Sequence, residues 1–243
     1  NVLPKADAGD NADSLRAKCT AVLQGGMDGL VTLGGYGGYI TFHFDHPVRN
    51  VQGEKDLLIR GNYTSGASEP GIVMVSQDEN GNGLPDDTWY ELSGSADTDS
   101  IGKVVYGYEI TYRPAPMSAI SWADNQGKSG TVRRNTYHSQ EYYPLWVHTP
   151  LTFRGTLLPQ NGHNHGKDGT QNWRLDSFRY GYVDNSADET GCSFDIGWAV
   201  DGNRKPVHLS HIDFVRVYSA ENQQCGWLGE TSTEIRGAKD LHP

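Results

Sequence analysis

The feature that most limits how this chain can fold is its series of short β-type runs, each closed by a glycine- or proline-containing turn. Residues 39–44 and 106–112 alternate large apolar and polar side chains, the period of a strand with one buried face. The 30 glycines and 11 prolines among 243 residues suit many tight turns. The pattern predicts an all-β fold, an antiparallel β-sandwich with wet outer faces and long loops.

Further strands and loops follow from the same reading of the sequence. Apolar or alternating runs predict strands at 30–33, 56–60, 72–75, 89–92, 151–157, 193–200 and 212–218. Residues 45–48 are predicted to form a turn, 117–150 an irregular aromatic-rich region, and 159–173 a loop. No repeat or linker divides the chain, so we expect a single domain over 1–243, with the sandwich spanning 30–241.

One helix is predicted near the N-terminus, over residues 10–24. Asp10 or Asn11 can cap it, its apolar residues recur on one narrow face, and a glycine pair at 25–26 ends it. Residues 1–9 are polar and lack periodicity, so they are predicted to be a tether. Because the apolar stripe is narrow, we expect the helix to pack across one end of the sandwich.

Charge and composition exclude some classes of protein. The formal net charge is −10 at pH 7, which argues against nucleic acid as a partner because phosphates require clustered Lys and Arg. No run of about 18 apolar residues occurs, so the sequence predicts no membrane-spanning helix. Three cysteines cannot all pair within one chain, and a Cys192–Cys225 disulfide and three thiols remain alternatives.

An acid- and amide-rich segment between two predicted strands has the composition of a calcium loop. Calcium takes six to eight oxygen ligands, and a loop with side-chain oxygens at its positions 1, 3 and 5 and a glycine at 6 can wrap around the ion. Positions 78, 80, 82 and 83 fit that pattern. The predicted calcium ligands are the side chains of Asp78, Asn80, Asn82, Asp86 and Asp87 and the carbonyl of Leu84.

The match to an EF-hand is partial, because Trp89 stands where the bidentate Glu would be and strands flank the loop. Closure would therefore depend on Asp86, on Asp87, or on an acid elsewhere in the chain. The alternative is a hairpin turn without an ion, since Asn and Gly form turns in any case.

A second candidate site is an aromatic surface in the region between residues 122 and 146. Sugar rings stack on Trp and Tyr while nearby polar groups fix their orientation, and binding residues concentrate on loops. The predicted ligand-binding residues are Trp122, Tyr137, His138, Gln140, Tyr142, Tyr143 and Trp146. The alternative is that these rings cover the edge of the core.

Catalysis is the less favoured interpretation, and we expect a non-enzymatic protein. Paired carboxylates could hydrolyse a glycoside, with Glu69, Asp86, Glu91, Asp195 and Glu230 available, but no motif fixes their separation. Neither a Gly-x-Ser-x-Gly elbow nor a His-Glu-x-x-His signature occurs. The pair His163 and His165 could bind a transition metal, although solvated histidines in a glycine-rich loop are the simpler interpretation.

Four runs of the sequence are distinctive: GGYGGYITFHFDHPV at 34–48, SEPGIV at 68–73, DENGNGLPDDTWYEL at 78–92 and GETSTE at 229–234. Together they resemble those of a family of surface lipoproteins made by gut-type Gram-negative anaerobes. The resemblance covers the chain from about residue 30 to 241. It implies a jelly-roll-like β-sandwich akin to carbohydrate-binding modules.

The resemblance also implies display on the extracellular face of the outer membrane, beside an uptake complex. The usual lipid-bearing cysteine is absent from residues 1–9, so a lipid anchor would belong to the uncut precursor. The function expected from motifs and resemblance together is calcium-stabilised capture of a glycan or other small nutrient at the cell surface. Glycan hydrolysis and cobalamin capture for an outer-membrane transporter remain the alternatives.

Overall fold

The computed structural model describes residues 4–137, 143 and 147–243. In this part of the chain one α-helix, α1 (Ala12–Gln24), precedes eighteen strands. In chain order the strands are β1 (Val31–Thr32), β2 (Tyr39–Arg49), β3 (Leu57–Arg60), β4 (Gly71–Ser76), β5 (Trp89–Leu92), β6 (Val105–Arg113), β7 (Ile120–Asp124), β8 (Ser129–Val132), β9 (Leu151–Leu157), β10 (Gly162–Asn164), β11 (Trp173–Leu175), β12 (Ser193–Phe194), β13 (Ala199–Val200), β14 (His211–Ser219), β15 (Gln224–Cys225), β16 (Gly229–Glu230), β17 (Glu234–Ile235) and β18 (Gly237–Asp240).

Three antiparallel sheets form the framework. The largest has five strands in the order β13-β5-β4-β14-β2. A three-stranded sheet, β12-β3-β18, supplies the opposing layer, and a four-stranded sheet, β8-β7-β6-β9, lies beside them. Three two-stranded ladders join β1 to β17, β10 to β11 and β15 to β16.

The central strand β4 buries both of its faces. Val73 and Val75 belong to the main core, together with Leu57, Ile59 and other side chains of the three-stranded sheet. Ile72 points the other way, into a cluster with aromatic rings that follow β11. Because side chains alternate across a strand, this period-two pattern places β4 between two apolar layers. The predicted antiparallel β-sandwich with one N-terminal helix is confirmed.

A third apolar cluster lies under the four-stranded sheet. Tyr108, Ile110 and Tyr112 alternate along β6, are fully buried, and contact Tyr36 from the glycine-rich segment before β2. The rings of Tyr36 and Tyr112 meet edge-on with centroids 5.2 Å apart. The alternation predicted for residues 106–112 therefore faces this core.

The helix begins where the sequence predicts. Asn11 is the N-cap, and its Oδ1 accepts the backbone N–H groups of Asp13 and Ser14. The helix ends at Gly25, whose N–H donates to the carbonyl groups of the last turn. Among the described residues, no helix has the length and apolar character needed to span a membrane.

Four local predictions are wrong. One is the loop at 159–173, since Gly162–Asn164 forms β10 and pairs with β11. Residues 45–48 continue β2 instead of forming a turn; Pro47 is tolerated because β2 is the edge strand. The predicted strand 193–200 is interrupted by a 3₁₀ turn, because Asp195 caps Ile196–Trp198 through the Gly197 N–H. Part of the region predicted to be irregular forms the β7-β8 hairpin. The three cysteines are free thiols.

A buried ion network connects the five-stranded and four-stranded sheets. The guanidinium of Arg204 pairs with Glu91 on β5, at 2.6 Å, and with Asp97. Glu91 also accepts hydrogen bonds from Thr156 of β9 and from Tyr218 of β14. The side chains of the three charged groups are at most 21% exposed, so the Arg204 guanidinium offsets part of the negative charge of the two carboxylates inside the protein.

A separate buried acid predicts a pH effect on stability. Glu221 is 1% exposed, its Oε2 has no hydrogen-bond partner in the described structure, and burial raises its pKa to about 8. The pKa of Glu221 in the unfolded chain is near 4.5. Between about pH 4.5 and 8 the folded protein therefore keeps Glu221 protonated, whereas the unfolded chain releases that proton. The contribution of Glu221 therefore becomes increasingly destabilising as pH rises from about 4.5 to 8.

We expect Glu221→Gln to remove this penalty. At pH 8 the variant should unfold with a free energy higher than that of the wild type by an amount on the order of 2–4 kcal/mol. Near pH 4.5 the two proteins should differ little, since the acid is then protonated in both states. Urea unfolding at both pH values measures the difference; an equal effect at the two values would contradict the raised pKa.

Candidate functional site

The predicted calcium loop forms the tip of the β4-β5 hairpin. Ser76 at the end of β4 pairs with Trp89 at the start of β5, and its hydroxyl donates to the Thr88 carbonyl at 2.8 Å. The two strands thereby fix both ends of residues 77–88. Most of the loop is exposed, so solvent ions can reach it.

Asp78 organises the first half of this loop. Its Oδ1 accepts the N–H of Asn82 at 3.1 Å and its Oδ2 that of Gly83 at 2.9 Å. Gly83 has φ of +72°, a left-handed conformation that glycine adopts without the Cβ penalty. The glycine at position 6 of the loop therefore forms the sharp turn that the calcium-loop pattern requires.

Amide side chains connect this half to the acids that follow. The Asn82 Nδ2 group donates to Asp86 at 3.0 Å, and the Asn80 Nδ2 group donates to Asp86 at 3.2 Å and to Asp87 at 3.3 Å. These amide groups present partial positive charge to two carboxylates. The five predicted side-chain ligands therefore form one hydrogen-bonded group, an arrangement in which a cation could replace the amide donors.

The charge of the loop is not balanced by neighbouring cations. In the described part of the chain, no Lys or Arg lies within 4 Å of the carboxylates of Asp78, Asp86 and Asp87. A further acid, Asp213 on β14, accepts the N–H of Asp78 at 2.8 Å. The Leu84 carbonyl, predicted as a backbone ligand, accepts the N–H of Asp86 at 2.9 Å. Accumulated negative charge of this kind favours a divalent ion.

The predicted aromatic residues are divided by the fold. Tyr143 is 3% exposed and packs in the core cluster under the four-stranded sheet, and Trp122 on β7 is partly buried against the same cluster. Gly130 permits the close approach of the Trp122 indole. Both rings thus cover the core, as the alternative interpretation proposed. His138, Gln140, Tyr142 and Trp146 lie outside the described residues.

Tyr137 has a different environment, because it forms an exposed ring pair with Trp227. The two rings are 74% and 41% exposed and their centroids lie 6.4 Å apart. Trp227 belongs to the turn between β15 and β16, and Thr136 donates from its N–H and hydroxyl to carbonyls of that turn. The backbone beneath the pair is therefore fixed while the rings remain open to solvent.

A buried acidic cluster forms where three distant segments of the chain meet. Glu69 precedes β4, Asp184 precedes the 3₁₀ turn and β13, and Glu234 lies on β17. One carboxylate oxygen of each lies within 4.8 Å of the others. Among the described residues this is the one group of three or more acidic, His or Cys side chains that meets so closely.

Backbone contacts hold the cluster in place. The N–H of Ser232 donates to Glu69 Oε1 at 3.0 Å, and the N–H of Glu234 donates to Asp184 Oδ2 at 3.0 Å. Asp184 adopts φ of +58°, and Gly61 packs so closely on it that a Cβ would lie 2.4 Å from Oδ1. Asp184 and Glu234 are buried, whereas Glu69 is partly exposed.

Burial governs the protonation of these three acids. It raises the pKa of Glu69, of Asp184 and of Glu234, and the neighbouring carboxylates raise the pKa of Glu234 further. No Lys, Arg or His of the described chain lies within 4 Å of the three carboxylates to oppose this. Acids in such an environment must share protons or bind a cation.

A cleft of about 390 Å³ opens between the helix end and the β3 region. Arg60, Arg236, Asn62, Tyr63 and Ser186 are among its lining residues. The three buried acids do not line it. A glycosidase directs two carboxyl groups into its substrate cleft, whereas Asp28 is the one acid among the residues that line this cleft.

His163 and His165 both contact the carboxylate of Asp176. His163 Nδ1 lies 2.8 Å from Asp176 Oδ2, and His165 Nε2 lies 2.9 Å from Asp176 Oδ1. His165 Nε2 also lies 3.1 Å from Oδ2, so both histidines contact the same carboxylate. The three groups do not offer ligand atoms that all lie within 4.8 Å of one another. This geometry gives each imidazole an acceptor and does not favour the transition-metal interpretation.

The chain matches no model of a known protein family, and a search of curated proteins finds no match. Its function must therefore be argued from these sites.

Three features of the sites lacked a clear sequence signal. Asp213 and Trp227 each lie in a segment without a recognisable motif, and their roles arise from contacts across the fold. The acidic cluster joins residues that are far apart in the chain. Glu69 and Glu234 fall in the runs SEPGIV and GETSTE, but the sequence offered Glu69 only as a possible catalytic carboxylate and gave Glu234 no role.

Proposed function

We propose that this protein is a calcium-stabilised, non-enzymatic binding protein that captures a glycan. The observation that carries the proposal is the exposed ring pair of Tyr137 and Trp227 on a fixed backbone. Large exposed aromatic rings mark binding surfaces, and the apolar faces of sugar rings stack on them. The side chains of Thr136 and Asn135 hydrogen-bond to the backbone of Trp227 and Tyr137 and so hold the two rings in place for stacking.

The calcium part of the proposal rests on the loop at the tip of the β4-β5 hairpin. Oxygens of Asp78, Asn80, Asn82, Asp86 and Asp87 would ligate the ion, with the Leu84 carbonyl as the backbone ligand. Ordering a twelve-residue loop costs conformational entropy, and a bound ion offsets that cost. The role proposed for calcium is thus structural.

The proposed location is the extracellular face of the outer membrane, with a lipid anchor in the full-length precursor and an uptake complex as partner. The support for it is the resemblance of the four sequence runs to surface lipoproteins. An acidic, calcium-binding β-sandwich suits an extracellular setting, where calcium is abundant.

Glycan binding predicts a loss of affinity when the ring pair is removed. A screen of the purified protein against glycans, read by thermal shift, would supply the ligand. Trp227→Ala and Tyr137→Ala should each weaken its binding by about tenfold or more, equivalent to about 1.4 kcal/mol, in isothermal titration calorimetry. The melting temperature should change little because both rings are exposed.

Tyr39→Ala is the matched control. Tyr39 is 59% exposed and lies on β2, outside the ring pair, so its removal should leave glycan affinity unchanged. Unchanged affinity in both the Trp227 and Tyr137 variants would refute the proposed surface.

Hydrolysis is less well supported by the geometry. Retaining and inverting glycosidases hold their two carboxyl groups roughly 5–10 Å apart across a substrate cleft. The acids of the cluster do not line the cleft described above. No observation favours cobalamin over a glycan, so we do not propose it.

A further inference from the structure

We propose that the buried cluster of Glu69, Asp184 and Glu234 is a second cation site, one that binds a hard divalent ion of the calcium class. It is separate from the hairpin loop in sequence and uses no residue of that loop. The inference therefore goes beyond the proposed function and can fail or stand independently of it.

The cluster concentrates negative charge. Three carboxylates lie with their oxygens within 4.8 Å of one another, and no Lys, Arg or His of the described residues lies within 4 Å of them. Buried charges in proteins are paired or coordinate metals, because an isolated ion in a low-dielectric interior is very costly. Three carboxylates without a cationic side chain require a positive partner or protons.

One carboxylate oxygen of the cluster lacks a hydrogen-bond partner in the described structure. Asp184 is completely buried and its Oδ1 accepts no hydrogen bond within the described structure, although Oδ2 accepts the N–H of Glu234. Buried carboxylate oxygens without a partner are rare and need an explanation. A cation held among the three side chains would supply it.

The side-chain donor atoms of the cluster are oxygens. Three carboxylates offer up to six oxygens and no nitrogen or sulfur, the set that calcium, magnesium and manganese prefer. Calcium accepts six to eight oxygens in flexible geometry, and mixed mono- and bidentate carboxylates would provide most of them. Glu69 is only partly buried, which leaves a side of the cluster through which an ion can enter.

The position of the site in the fold gives it a structural role. Glu69 leads into the central strand β4, Glu234 lies on β17, and Asp184 follows Val183, which bridges to Gly71 at the start of β4. An ion bound to all three would fasten the central strand to two segments that arrive from distant parts of the chain. Its removal should therefore lower the stability of the whole sandwich.

Ion stoichiometry tests the proposal directly. Equilibrium dialysis of the full chain against calcium at pH 7.5 should give two ions for the wild type. The cluster variant Asp184→Asn/Glu234→Gln should bind one calcium ion, at the hairpin loop. The loop variant Asp78→Ala/Asp86→Ala should also bind one calcium ion, at the cluster. Manganese binding, followed by the loss of its free-ion paramagnetic resonance signal, provides a second readout of the same counts.

Glu221→Gln is the matched control, because Glu221 is an equally buried acid without acidic neighbours of this kind. It should leave the stoichiometry at two. If the double variant of the cluster does not fold, Glu69→Gln replaces it, and that variant should weaken the second calcium affinity by at least tenfold.

Two outcomes would overturn the proposal. The first is a cluster variant that retains the wild-type stoichiometry. The second is a cluster variant that is more stable than wild type at pH 8 both with and without calcium, as expected if protons alone neutralise the acids. If the wild type binds one ion and the loop variant binds none, the cluster site is refuted and the loop site stands. If the wild type binds one ion and only the cluster variant loses it, the loop site is refuted and the cluster site stands.

Discussion

Replacing Asp78 with alanine is expected to lower the melting temperature by about 5–10 °C in millimolar calcium. A ligand present at 100 times its dissociation constant stabilises the folded state by about 2.7 kcal/mol, and each kcal/mol shifts the melting temperature of a chain of this size by about 2–4 °C. Asp78 supplies one predicted ligand and also holds the N–H groups of Asn82 and Gly83. Its loss removes both contributions.

The calcium dependence separates these two contributions. Addition of EDTA should lower the melting temperature of the wild type by several degrees, and calcium should restore it. The melting temperature of the Asp78→Ala protein should change less with EDTA and calcium, because the hairpin loop no longer contributes calcium-dependent stability. Differential scanning calorimetry with and without calcium measures both effects.

Asp201→Ala is the matched control for this loop. Asp201 Oδ1 accepts the N–H groups of Asn203 and Lys205, the same kind of turn contact that Asp78 makes, but in a turn to which we assign no ion. Its removal should cost only the turn contacts, about 1 kcal/mol, with the calcium response unchanged. An equal loss of calcium response in both variants would contradict the proposed loop site.

The second large effect concerns Arg204. Arg204→Met should reduce the free energy of unfolding by about 3–5 kcal/mol, because removal of one partner leaves uncompensated buried charge. Glu91 and Asp97 would then face each other inside the protein, with side chains only 14% and 12% exposed. Urea unfolding at pH 7 measures the loss.

Two comparisons make this test specific. Arg154→Ala removes a surface ion pair with Glu109, in which the arginine side chain is 75% exposed, and should cost at most about 1 kcal/mol. Combining Arg204→Met with Glu91→Gln should recover part of the stability, since the second change removes one of the stranded charges. Similar losses of unfolding free energy in the Arg204 and Arg154 variants would show that the ion network around Arg204 stabilises the fold no more than a surface ion pair does.

Local patterns were sufficient to predict much of the fold. The predicted bounds of 89–92 and 151–157 coincide with β5 and β9, and the predicted helix includes α1 entirely. In these segments the period of the side chains agrees with the face that is buried. The hydrogen-bonded turn of the hairpin loop was also predictable, because the residues concerned lie within ten consecutive positions and turn chemistry acts locally. The calcium ion itself stays a prediction.

The errors in the fold have a common cause, which is that neighbours in space override local preference. Pro47 signals a turn in sequence, but it continues β2 because that strand lies at the sheet edge, where one missing N–H is harmless. The run 193–200 has the composition of one strand, yet Asp195 caps a 3₁₀ turn within it. Which strand occupies an edge is not encoded in any single segment.

The sequence by itself determined the strand periods, the capped helix and the order of oxygens in the hairpin loop, because each depends on residues that are close along the chain. Only the tertiary structure decided that Tyr143 is buried while Tyr137 meets Trp227, and that Glu69, Asp184 and Glu234 converge. Those outcomes depend on how the sheets bring distant segments together. Burial and charge clustering are properties of that packing, and no local pattern specifies them.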